Sequence, residues 1–126
     1  VWPNELALVG AGDNIVNIQR SFDGGTTWKK PQQIMSRPVT EDNAPFPWGP
    51  ILKVLPDCKH SLVVGVIFSP FPGEGSQASE FVVARSTDGG NTWSSNVIFE
   101  VDQPLVKDPE NPEITVQSFN GGVDIA

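Results

Sequence analysis

The sequence predicts an all-β fold. Three observations carry that expectation. Short runs alternate apolar with polar residues or cluster β-branched ones, no stretch sustains a 3.6-residue period, and 12 Gly with 12 Pro among 126 residues punctuate the runs with turn signals. With 38% hydrophobic residues the chain can bury one modest core and has a turn-rich globular composition, not a disordered one.

Taken in order, strands are expected at residues 6–9, 15–18, 30–34, 50–55, 61–68, 80–84, 97–101 and 114–117. Leu6-Ala-Leu-Val9 and Ile15-Val-Asn-Ile18 flank Gly10-Ala-Gly-Asp-Asn14, whose glycines and Asp-Asn pair signal a reversal. The second strand runs into Ser21-Phe-Asp23-Gly24-Gly25-Thr-Thr27-Trp28, and Lys30-Pro-Gln-Gln-Ile34 leaves it. Pro50-Ile-Leu-Lys-Val-Leu55 and Ser61-Leu-Val-Val-Gly-Val-Ile-Phe68 flank a turn at Asp57-Cys-Lys. A longer loop, 69–79, leads to Glu80-Phe-Val-Val-Ala84, then to Ser86-Thr-Asp88-Gly89-Gly90-Asn-Thr92-Trp93, and then to Val97-Ile-Phe-Glu-Val101. Asn111 to Ala126, with its Ile114-Thr-Val-Gln117 run, reads as the opening of a further unit.

The two turn sequences share six of eight positions, so one supersecondary unit is used at least twice. An Asp-Gly-Gly core between apolar runs is a tight reversal: the glycines accept positive φ, and the carboxylate is expected to bond backbone N–H groups two residues on. The Ser and Thr hydroxyls are expected to satisfy further turn groups, and the Trp to act as an apolar anchor whose indole N–H needs a partner. On this reading Ser21, Asp23, Gly25, Thr27, Trp28 and Ser86, Asp88, Gly90, Thr92, Trp93 are structural.

The pattern Ser-x-Asp-x-Gly-x-Thr-Trp resembles the Asp box, or BNR repeat, of sialidases and related β-propellers, where it joins the third and fourth strands of a blade on the side away from the active site. The resemblance implies about two four-stranded antiparallel blades: residues 1–40 a partial blade lacking its first strand, 41–104 a complete blade, and 105–126 the start of another. Val123-Asp-Ile-Ala126 would run into Val1-Trp2 as one strand, so the chain reads as cut within a blade. Two blades leave unpaired edges and open flanks. Either copies close a ring, for instance three chains of two blades each, or the chain is part of a longer propeller.

The same resemblance implies a carbohydrate-active protein related to exo-glycosidases, secreted or extracellular. Sialidases of that fold clamp the substrate carboxylate with three arginines and use a Tyr nucleophile paired with a Glu, plus an Asp acid/base, because an oxocarbenium-like transition state needs negative charge and the leaving oxygen a proton. This chain has no Tyr, and of its three arginines Arg20 and Arg85 each precede a turn Ser and are expected to be structural, so the catalytic set is incomplete. Asp13 falls where the family carries its acid/base Asp, against the more ordinary reading of an Asp-Asn reversal that serves only the turn. Arg37, Glu41 and Asp42 lie in a long loop, 36–48, where propellers place binding residues. Arg37 is the candidate carboxylate clamp, and Glu41 or Asp42 the candidate base or sugar-hydroxyl acceptor, against a solvated loop. Trp48 is either a sugar-stacking platform or a packing residue. The alternative to an enzyme is a noncatalytic propeller that binds glycan or protein.

A formal net charge of −7, with eight Lys and Arg against 15 Asp and Glu, argues against a nucleic-acid surface. No apolar run approaches a membrane span, the longest being 62–68, and no signal peptide is visible. The lone Cys58 permits no intrachain disulfide. His60 has no ligand partner at metal-binding spacing, and Asp102, Asp108 and Glu110 match no calcium-loop spacing, so no metal or cofactor is expected. Gly-x-Ser-x-Gly and phosphate-loop motifs are absent from the sequence.

Overall fold

The computed structural model describes residues 5–12, 14–39, 45–69, 78–102, 106–107, 110 and 115–116, and among these the regular structure is entirely β. Leu6–Gly12 (β1), Ile15–Ser21 (β2) and Gln32–Ser36 (β3) form a three-stranded antiparallel sheet in the order β1-β2-β3. Phe46–Val54 (β4), Leu62–Ser69 (β5), Ala78–Ser86 (β6) and Ser94–Asp102 (β7) form a four-stranded antiparallel meander. Val106–Lys107 (β8) pairs with Thr115–Val116 (β9) in a short ribbon. No helix of the described residues is long and apolar enough to cross a membrane.

Two boundaries depart from the expectation for a physical reason. β4 begins at Phe46, before Pro47 and Pro50, so Trp48 lies in a strand and not in the loop assigned to it. Proline breaks a central strand because it cannot donate to the ladder, but β4 is a sheet edge, where a missing N–H is tolerated. A register shift between Trp48 and Ile51, with Gly49 at φ 54°, absorbs the irregularity. β3 begins at Gln32, past Pro31, and not at Lys30.

Side chains alternate across a strand, so the pairing registers define two faces in each sheet. In the first sheet, face A carries Ala7, Val9, Val16, Ile18 and Arg20, while face B carries Leu6, Leu8, Gly10, Asn17 and Gln19. The same turn residues anchor both sheets: Leu6 pairs with Ser21, and Leu62 pairs with Ser86. By that equivalence face B of the second sheet carries Leu62, Val64, Val66, Phe68, Val82 and Ala84, and face A carries Val63, Ile67, Phe81, Val83 and Arg85.

One core joins the two sheets. Val16, Ile18, Ile34 and Met35 of the first cluster with Leu62, Val64, Val66, Phe68, Val82 and Ala84 of the second, and Ala7 and Val9 pack at its margin. Face A of the first sheet therefore lies on face B of the second, a head-to-tail stacking of equivalent units. Each fully buried aliphatic or aromatic side chain in it contributes about 1.5–3 kcal/mol relative to exposure. Arg20 ties the stack at its rim: Nη1 donates to the Gly89 carbonyl at 2.6 Å and Nη2 to Asn91 Oδ1 at 3.3 Å.

Candidate functional site

The sheets have two chemically different ends. At one, the repeated turns follow β2 and β6 and build the same hydrogen-bond set twice. Ser21 Oγ donates to Asp23 Oδ1 at 2.8 Å and accepts from the Gly25 amide at 2.8 Å. Asp23 accepts from the Thr27 amide at 2.8 Å and the Thr27 hydroxyl at 2.6 Å, and Trp28 Nε1 donates to the Gly25 carbonyl at 3.1 Å. In the second copy Ser86 bonds Asp88 and the Gly90 amide at 2.8 Å each, Asp88 accepts from the Thr92 amide at 2.9 Å and from its hydroxyl, and Trp93 donates to the Gly90 carbonyl at 3.1 Å. Positive φ at Gly24, Gly25, Gly89 and Gly90 makes the chain reversal possible. The Thr27 hydroxyl and amide, with the Ser21 hydroxyl, lower the Asp23 pKa to about 2, and Thr92 and Ser86 do the same for Asp88.

The opposite end is held by contacts between elements. Arg37, just past β3, is tied to the β1–β2 reversal: its amide donates to the Asn14 carbonyl at 3.0 Å, and Asn14 Nδ2 donates to its carbonyl at 2.6 Å. Its guanidinium crosses to the second sheet and forms a two-point ion pair with Glu80, Nη2 to Oε1 at 2.5 Å and Nε to Oε2. Both side chains are partly buried, 27% and 23% exposed, so the pair is shielded enough to fix the arginine while leaving it in reach of a ligand. Two of the five guanidinium N–H groups serve Glu80, which leaves three for other acceptors. The Ser69 and Ser79 hydroxyls form a buried pair at 2.9 Å where β5 ends and β6 begins.

Trp48 is 40% exposed and its ring lies 5.2 Å from that of Phe46, tilted by 58°. It pairs with Ile67, which places it on face A of the second sheet, whereas Glu80 lies on face B. Arg37 and Trp48 thus share an end of the molecule but not a face of the second sheet. Asp13, Glu41 and Asp42 lie outside the described residues. Asp108, expected to be solvated, also lies outside them, and of Asp102 only the backbone in β7 is described. Among the described residues no group of three or more His, Cys, Asp and Glu is arranged to hold a metal ion.

Glu80 was not singled out by the sequence reading, yet its signal is legible. It stands in phase with Val82 and Ala84, both buried, so an alternating strand places a carboxylate on the core face, where it needs a cation. Asn14 carries the weaker signal of any Asn in a reversal. No protein-family model matches this chain, and no curated protein sequence matches it.

Proposed function

We propose that this chain is a carbohydrate-active unit of a sialidase-like, Asp-box β-propeller, with two stacked blades whose ligand-binding end is the one opposite the repeated turns. The observation that carries the reading is the recurrence of the same Ser-Asp-Gly-Thr-Trp hydrogen-bond set on two antiparallel sheets that stack with equivalent faces head to tail. A radial repeat of small sheets that protects its edges by stacking is the logic of a propeller. Arg37, held in place by Glu80, offers its remaining guanidinium N–H donors to the carboxylate of an acidic sugar. As a glycoside hydrolase the assembly would use Asp13 as acid/base, with Glu41 or Asp42 as the second carboxylate and the remaining groups supplied from outside this chain.

The second reading is a noncatalytic glycan-binding propeller. The lack of any Tyr and the scarcity of arginine, three in the chain, favour it for the chain by itself. One experiment separates the two. Binding to a glycan array and release of fluorophore from sialoside and neutral glycoside substrates are measured on the protein and on Arg37→Ala and Asp13→Asn. Hydrolysis abolished by Asp13→Asn supports the enzyme; binding weakened by Arg37→Ala without turnover supports the lectin. Neither binding nor turnover on any glycan defeats both.

A further inference from the structure

We draw no further inference here: the strongest candidate, the groove of about 570 Å³ on the outer face of the first sheet where Gly10 and Gly12 lie beside the Asn17 and Gln19 amides, belongs to an open sheet face, and nothing in the described residues shows what covers it.

Discussion

The four turn glycines form a graded series because the second turn is buried against the neighbouring sheet and the first is not. Gly89 and Gly24 have φ of 72° and 70°, and a Cβ on either meets nothing within 4 Å, so alanine there costs only the left-handed penalty of about 1–2 kcal/mol. Gly25, at φ 91°, would bring its Cβ to 3.2 Å from Leu6 Cδ1, but Leu6 is 47% exposed and can swing aside, so the cost stays close to that of strain alone. Gly90, at φ 86°, would place its Cβ 3.0 Å from Leu62 Cδ1, 3.2 Å from Arg20 Nη1 and 3.3 Å from Arg20 Cδ. Leu62 is fully buried and cannot yield without overpacking, which costs about 1–3 kcal/mol, and displacing Arg20 gives up a charged hydrogen bond to Gly89 of about 1.5–3 kcal/mol. Gly90→Ala, which adds the left-handed penalty to both of these terms, is therefore expected to lose about 4–8 kcal/mol, against about 1–2 for Gly24→Ala and Gly89→Ala and slightly more for Gly25→Ala. That is a large share of the stability of any domain of this size, about 5–15 kcal/mol. The assay is urea unfolding followed by Trp fluorescence. Equal losses for Gly25→Ala and Gly90→Ala would refute the reasoning, since the two turns would then stand in equivalent environments.

Three further outcomes follow from the same contacts. Leu62→Ala should cost about 2–5 kcal/mol and Leu6→Ala well under 1 kcal/mol, measured as shifts in urea midpoint, because only the first leaves a cavity. Ser86→Ala removes the acceptor of the buried Gly90 amide and should cost about 1–3 kcal/mol; Ser86→Thr, which keeps the hydroxyl, should restore part of it. On acidification, Asp23 and Asp88 have folded pKa values of about 2, below the unfolded value near 3.9, so their contribution is complete above about pH 4 and is lost as pH falls through 2. Melting temperature against pH should fall across that window, and the double variant Asp23→Asn, Asp88→Asn should flatten the fall.

The strands were legible because each is short, apolar in alternation or throughout, and bounded by Gly, Pro or Asp. The repeated turn was legible down to its Trp N–H, although the Asp carboxylate caps the amide four residues on and not two. β4 was misplaced because Pro47 and Pro50 weigh against a strand until it is known to be an edge, and edge position is a property of the sheet, not of the segment. The Arg37–Glu80 pair was half legible. A carboxylate on the core face of β6 announces a missing cation, but which cation answers depends on how two sheets distant in sequence are stacked. The stacking itself was hidden for the same reason: a period-2 pattern gives two faces without saying which of them meets which.

The geometry of the turns also restricts where chemistry can reside. A general acid at neutral pH must hold a proton there, and a general base must be basic enough to take one. Asp23 and Asp88, held near a pKa of 2 by their own Thr and Ser donors, do neither, and their oxygens are occupied by the bonds that make the turn. The most recognisable residues of the sequence are thereby excluded from proton transfer by the bonds that make them recognisable. At the other end the opposite holds. Arg37 is anchored through its backbone to the β1–β2 reversal and through its guanidinium to another sheet, so its position is fixed by two independent elements while three of its donors stay uncommitted to Glu80. Glu80→Gln separates positioning from charge at this site. It keeps one hydrogen bond to Arg37 but removes the carboxylate, so affinity for an acidic glycan should rise if the free cation is what the ligand meets, and fall if the arginine must be held in place to meet it.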